Sequence, residues 1–498
     1  MKVLATKIAH APDCFKDRVP VPVDLIITQI GAGENMCYNN GMDEKNFAAG
    51  TFSGGAGCRR GGVETLESLY GDGCEKARRR YASLARGMAL GAGFPAEFAP
   101  ADGGLRAFSA PGRTELAGNH TDHNRGRVLA ASVQMDIAAA VATRDDGRVF
   151  LRSAGFPDTV VSLRGEGELS PRPEERGTTA ALVRGIAAGF AARGAEVRGF
   201  AANAASEVPQ GSGLSSSAAL EILVAKIFDS LRDDGASFSA LELAQIGQEA
   251  ENEFFGKPCG LMDQAACASG GAVAIDFADP AAPELRRISF DPLAAGIALC
   301  AVDTRGSHAD LTPDYAAIPE EMRAVARIFG KSFLREIDLE SALSGASEIR
   351  ASLGDRALLR AIHFFNENRR VAQMTALLEE LEAAPDAARK RRGLERFMEL
   401  VNESGDSSWE LLQNMYSPRN PHEQGLPLAL AVSREFFRAN GLKAACRVHG
   451  GGFAGTALAF VPSEALGAYR SQMEALFGAG SVTLLRVRDA GVAEVKLI

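Results

Sequence analysis

The stretch EVPQGSGLSSSAALEILVAKIFDSL, residues 207–231, carries the first decision about this chain. Gly211 and Gly213 let a backbone approach a ligand closely, and Ser212, Ser215, Ser216 and Ser217 stand around Leu214 with hydroxyls to offer. An apolar helix begins at once from Ala218. Unpaired backbone N–H groups at a helix start, at the positive end of its dipole, hold an anion without any lysine. The segment Gly211–Ser217 therefore reads as a phosphate cradle. A lone GxG would instead be an ordinary serine N-cap after a glycine turn, but the length of this glycine- and serine-rich run favours the cradle. A Walker A loop is excluded, because no GxxxxGK[ST] occurs anywhere in the chain.

Working outward, the chain has 498 residues, beyond the roughly 250–300 at which one hydrophobic core stops growing, so two domains are expected. Hydrophobic residues at 46% and charged residues at 23% match a globular protein and exclude wholesale disorder or a fibrous architecture. A net charge of -9 offers no basic footprint for nucleic acid, while leaving room for small anions in a locally positive pocket. The eight cysteines are scattered with no CxxC pair, which fits free thiols in a reducing cytosol. No apolar run of about 18 residues and no signal-peptide pattern occur, so a cytoplasmic protein without a membrane partner is expected.

Residues 1–62 show little periodicity and end in a glycine-rich string, a poorly specified extension. From Val63, VETLESLYG and EKARRRYASLARGMALG read as helices. VLAASVQMDIAAAVATRD, RVFLRSAG and TVVSLRG read as strands of a sheet buried mostly on one face. The second half is richer in helix and closes with the strand-like pieces ALAFVP and VTLLRVRD around the helix SEALGAYRSQMEALFG. This alternation points to α+β, with a domain over 63–300 and a second over 301–498; ALCAVDTRG reads as the strand leaving the first.

Two further clusters carry chemistry. In QEAENEFFGKPCGLMDQAACASGG, residues 248–271, Glu249 and Glu253 share a helix face while Glu251 points elsewhere, and Asp263 opens a small-residue helix. On its own Asp263 reads as an N-cap or early helix acid. In ACRVHGGGFAGTALAFV, residues 445–461, Gly450–Gly452 form either a tight hairpin or a backbone pressed against phosphates, and His449 reads as a structural histidine. Ahead of both, FSAPGRTELAGNHTDHNRG, residues 108–126, crowds polar side chains between glycines.

The order SAPGRTELAGNHTDHNRG, then VPQGSGLSSSAALE with AENEFFGKPCGLMDQ, then VHGGGFAG resembles the GHMP small-molecule kinase superfamily and, within it, the galactokinases, over roughly residues 105–465. The resemblance implies a ribosomal-protein-S5-like N-terminal domain and a ferredoxin-like C-terminal domain with ATP and sugar between them. It implies that residues Gly211, Ser212, Gly213, Leu214, Ser215, Ser216 and Ser217 wrap ATP phosphates, and that Ser217 and Glu251 hold Mg²⁺, which prefers oxygen ligands. It makes Asp263 the catalytic aspartate and Arg113 the arginine beside it, with Asn119, His120, Asp122, Gly260 and Tyr315 at the sugar. The implied activity is ATP-dependent phosphorylation of the anomeric hydroxyl of galactose, by a monomer or weak oligomer. A kinase for another sugar and a galactose-binding regulator without catalysis are the rival readings.

The chain departs from the family pattern at one pair. Where asparagine usually stands two places after the arginine and glutamate directly before the histidine, this chain has Glu115 and Asn119, and His123 stands where tyrosine is common. If positions 115 and 119 are close in space, the exchange conserves one hydrogen-bonding pair. If they are not, the pocket prefers a sugar altered at one hydroxyl.

Overall fold

The computed structural model describes residues 63–89, 93–100, 104–209, 211, 213–307, 311–384 and 386–497, all inside one compact unit, Glu44–Ile498. The N-terminal extension 1–62 lies outside the described residues, and so does Ser212 of the phosphate segment. The larger sheet runs β1 (Val63–Thr65), β13 (Ala493–Lys496), β2 (Arg106–Ala117), β3 (Arg127–Arg144), β6 (Gly199–Ser206), β4 (Arg148–Ser153) and β5 (Thr159–Ser162). From β3 a branch leads through β7 (Ala272–Asp276) to β8 (Glu284–Ile288). The smaller, antiparallel sheet is β10 (Ala445–His449), β11 (Thr456–Pro462), β9 (Ile297–Asp303) and β12 (Val482–Leu485).

The branch exists because β3 is 18 residues long and changes partners along its length: Arg127–Ala131 pair with β7 and Ile137–Arg144 with β6. Its alanines serve two layers. Ile137, Ala139 and Val141 join the core under α2 (Thr179–Ala192) and α3 (Ser216–Ser230), whereas Ala138, Ala140 and Ala142 pack with Tyr81 and Leu84 of α1 (Cys74–Gly87). The sequence pattern predicts one buried face; the structure buries both, because α1 covers the second.

Three other readings shift. Val63–Thr65, read as the start of a helix, is a strand parallel to β13, and Thr65 then caps the helix Leu66–Tyr70 through a reciprocal pair with Ser68. VTLLRVRD is strand only to Leu485, after which Val487 makes a single bridge to Val133. β9, read as the strand leaving the first half, is an inner strand of the smaller sheet, and the chain's last strand, β13, crosses back to the larger one.

One face of the smaller sheet is covered by α9 (Gly425–Ala439) and α10 (Leu466–Phe477). Its other face joins the main core, where Leu458 and Phe460 meet Phe397 and Val401 of α8 (Ala387–Ser407) and Val371 of α7 (Asp355–Glu382). Both sheets thus share apolar packing below the three polar motifs. Among the described residues Cys74, Cys259, Cys267, Cys300 and Cys446 are free thiols, and no helix is long and apolar enough to cross a membrane.

Candidate active site

The phosphate segment closes on β2 at a bulge. The β2–β3 register shifts between Pro111 and Arg113, and a Cβ on Gly112 would lie 2.7 Å from the Leu214 carbonyl oxygen, so only glycine admits the loop here. The Arg113 N–H then donates to the Leu214 carbonyl at 3.1 Å. Gly211, Gly213 and Ser215 all take positive φ (70°, 71° and 56°), which aims the loop at the start of α3. Ser215 occupies the N-cap position but does not cap: its hydroxyl donates to Asp263 instead. Ser216 and Ser217 form the first turn, so α3 begins with backbone N–H groups that no side chain of its own cap satisfies.

Asp263 sits in the first turn of α5 (Met262–Ser269) and receives a bidentate pair from Arg113, Nε and Nη2 each at 2.7 Å. The remaining Arg113 Nη1 donates to the Gly213 carbonyl. Burial by itself would raise the Asp263 carboxyl; the Arg113 guanidinium, the Ser215 hydroxyl and Lys257 outweigh it and hold the group below the usual aspartate range. Three segments separated widely in sequence therefore converge on one ionised carboxylate.

The candidate sugar residues lie beside it. A Cβ on Gly260 would fall 1.7 Å from Asp122 Oδ2, so the loop before α5 rests directly on the Asp122 carboxylate. His120, in the left-handed region at φ 59°, donates from Nε2 to the Gly451 carbonyl at 2.9 Å. Burial and the neighbouring His123 push its pKa down to about 3, so the ring is neutral. Tyr315, on α6 (Thr312–Ile328), donates its hydroxyl to the Gly452 carbonyl at 3.0 Å, and burial raises that phenol to about 12. A Cβ on Gly451 would strike the Tyr315 ring at 2.6 Å and one on Gly452 the Asn414 carbonyl oxygen at 2.2 Å. The triple glycine is thus a backbone wedged against Tyr315 and Asn414, and its carbonyls accept from His120 of the first motif and from Tyr315.

Glu115 and Asn119 touch. Asn119 Nδ2 donates to Glu115 Oε1 at 3.0 Å and to the Gly450 carbonyl at 2.7 Å, while its Oδ1 accepts from Asn414 Nδ2 at 2.8 Å. Arg447 Nη2 donates to the same Glu115 oxygen at 2.6 Å inside the core. Asn119, expected at the sugar, is only 1% exposed, with its amide engaged by protein groups. Its geometry is that of a tie between the first and third motifs.

Sequence reasoning passed over the groups that hold this tie. His363 donates from Nε2 to the Asn119 carbonyl at 3.0 Å, and Glu367 accepts from the Gly118 N–H at 2.9 Å. The two stand four apart on α7 and share one helix face, both fully buried, which is the signal that was available. His449 Nε2 accepts from the Glu115 N–H at 3.3 Å with the Thr114 hydroxyl at 3.0 Å. Burial, with Arg113 nearby, keeps this imidazole neutral, and its ring fills the space that Gly213 leaves open.

Glu251 lies in a single π-turn, Ala250–Phe255, that extends α4 (Ala240–Glu249). Its carboxylate accepts from Gln264 Nε2 at 2.9 Å and pairs with Lys257 Nζ at 3.1 Å. The same Gln264 nitrogen donates to Glu221 at 2.9 Å, and burial together with Glu251 pushes the Glu221 carboxyl well up. Glu221 Oε1 and Gln264 Oε1 are buried oxygens without a hydrogen-bond partner. Among the described residues no three His, Cys, Asp or Glu side chains are grouped to hold a metal by themselves.

Residues 181–271 match the model of the GHMP kinases N terminal domain, and residues 92–143 match the galactokinase galactose-binding signature. The galactokinase of Streptomyces coelicolor is 33% identical over 392 residues, covering 77% of this chain and 91% of that protein. The galactokinase of Glaesserella parasuis is 31% identical over 72% of this chain and 86% of that protein. Among solved structures, Lactococcus lactis galactokinase complexed with galactose superposes with a TM-score of 0.64 at 25% identity, over 78% of this chain and 95% of that one. Methanococcus jannaschii mevalonate kinase, at 15% identity and a TM-score of 0.52 over 77% of this chain and 99% of that one, shares the fold. With an α+β two-domain GHMP kinase architecture and these relatives along most of its length, the chain belongs to the galactokinase family.

Proposed function

We propose that this protein transfers the γ-phosphoryl group of ATP to the anomeric hydroxyl of galactose, giving galactose 1-phosphate and ADP. The observation that carries the reading is the bidentate Arg113–Asp263 pair, set between the uncapped start of α3 and the Asp122–Gly260 contact. Phosphoryl transfer asks for positioning and charge neutralisation more than covalent chemistry, and this arrangement supplies both.

The α3 N–H groups and the loop from Gly211 to Ser217 take the nucleotide phosphates. Asp122 accepts hydrogen bonds from sugar hydroxyls, neutral His120 lines the same pocket, and Tyr315 closes its side. The anomeric oxygen attacks the γ-phosphorus, the bond to ADP breaks with its electron pair, and the hydroxyl proton passes to Asp263. A carboxylate held below the aspartate range is a weak base toward a free hydroxyl, so the proton leaves as the new P–O bond makes that hydroxyl acidic. Arg113 keeps Asp263 ionised and faces the charge that develops on the phosphoryl group.

The residues also suit Mg²⁺. Ser217 and Glu251 are hard oxygen donors, and the unpartnered oxygens of Glu221 and Gln264 lie beside Glu251 in its hydrogen-bonded cluster. The cation, when bound with ATP, neutralises phosphate charge. The direct contact between Asn119 and Glu115 supports galactose as acceptor, since the exchanged pair keeps one hydrogen bond within the protein.

A panel of free sugars assayed with ATP, beside Asp263→Ala, tests the proposal. Galactose should give the highest kcat/KM, and the variant should lose turnover while still binding nucleotide. Preference for another sugar, or an active Asp263→Ala, would overturn it.

A further inference from the structure

The phosphate cradle contains no cation: residues 207–217 include neither lysine nor arginine. The Arg113 guanidinium reaches the cradle, yet three of its five N–H groups are spent on Asp263 and on the Gly213 carbonyl. The triphosphate of ATP brings several negative charges to this point, more than a helix dipole offsets. One further cation is in position. Lys257 lies on the loop between the π-turn and α5, the same loop that presses Gly260 onto Asp122.

The backbone of that loop is fixed. The Lys257 N–H donates to the Glu251 carbonyl at 3.1 Å, and the Cys259 N–H donates to Asn252 Oδ1 at 2.7 Å. The side chain is not: it is 64% exposed and its ammonium rests on the Glu251 carboxylate at 3.1 Å. Glu251 shares Gln264, one residue from Asp263, with Glu221, and Gly260 three residues along the lysine's own loop rests on Asp122, so the ammonium is tied by short contacts to the phosphoryl, metal and sugar residues; its charge also helps hold the Asp263 carboxyl down. A flexible lysine with three donors can change partners by rotating its own stem.

We propose that Lys257 is a catalytic cation that leaves Glu251 to contact the γ-phosphoryl group of bound ATP. This rests on the kinase reading above and adds a residue to it. Glu251, one of the oxygen donors that would hold Mg²⁺, would be freed by that exchange, and the lysine follows the charge to the phosphoryl oxygens, where a positioned donor is worth about 10²–10³ in rate.

The test uses the full-length enzyme with Lys257→Met, which keeps the stem and removes the charge, and Lys257→Arg, which restores a charge. Calorimetric binding of ATP and of ADP is measured beside kcat and the KM for each substrate. The expected result is a fall of about 10²-fold in kcat/KM for ATP in Lys257→Met. ATP should bind more weakly while ADP and galactose bind as in wild type, and Lys257→Arg should recover at least part of the rate. A Lys257→Met enzyme within twofold of wild type would overturn the proposal, as would equal losses for ATP and ADP. An unchanged rate with tighter Mg²⁺ binding would show instead that the lysine only occupies Glu251. Should wild type fail to phosphorylate galactose, the ATP-against-ADP comparison still reads Lys257, so the two proposals fail separately.

Discussion

Asn119→Glu restores the residue common in the family at this position, and the structure says that it should damage this protein. The new carboxylate would enter a site where Asn119 Nδ2 now lies 3.0 Å from Glu115 Oε1 and 2.7 Å from the Gly450 carbonyl. Two donated hydrogen bonds would become two contacts between acceptors. Burial already pushes the Glu115 carboxyl up despite Arg447 and Arg113, so a second charge cannot be ionised there cheaply. One of the two carboxyls would take a proton, which caps the electrostatic cost at pH 7 at about 4 kcal/mol for a group with an ordinary glutamate pKa. The extra methylene in a packed core adds roughly 1–3 kcal/mol.

At about 2 °C per kcal/mol for a large domain, the melting temperature should fall by up to roughly 10–14 °C. The sign with pH is fixed by the same argument. A carboxyl whose folded pKa is raised destabilises above that pKa, and the penalty fades as pH falls toward the unfolded value. The gap to wild type should therefore narrow from pH 8 to pH 5. Because Arg447 and Asn119 donate to the same Glu115 oxygen, a carboxylate at either position stays near the guanidinium. The double variant Glu115→Asn/Asn119→Glu should then be more stable than the two single losses added together, by about 2 kcal/mol or more. Strict additivity in thermal and denaturant unfolding, or an undamaged Asn119→Glu, would refute the reasoning.

Gly260→Ala places a methyl 1.7 Å from Asp122 Oδ2 and must displace that carboxylate; kcat/KM for galactose should drop about 10²-fold with the KM for ATP nearly unchanged, as steady-state kinetics in each substrate will show. The acid limb of kcat/KM should lie below the ordinary aspartate range, because Arg113 keeps Asp263 ionised as pH falls to its lowered pKa. Arg113→Met leaves burial in control and should move that limb upward; coincident limbs in the two pH profiles would contradict the assignment.

The legible parts of this site are the glycine-rich turns, and they are written as short contiguous strings. Gly211, Gly213, Gly260 and Gly450–Gly452 stand out because each admits a backbone where a Cβ would collide or a positive φ is needed, and such demands leave their mark locally. The support is written nowhere locally. Arg447 lies 332 positions from Glu115, and His363 lies 244 from Asn119, so neither names its partner until the sheets are assembled. The fold shows the same division. The alternation in β3 announced a strand, but its second buried face depended on α1, whose own periodicity names no partner. The Glu115/Asn119 exchange belongs to both classes at once: its oddity is visible in the string, while its meaning rests on Arg447, Asn414 and the Gly450 carbonyl. A substitution inside a binding motif is evidence about the ligand only when the side chain has polar atoms left for one, and Asn119 has committed its own to the protein.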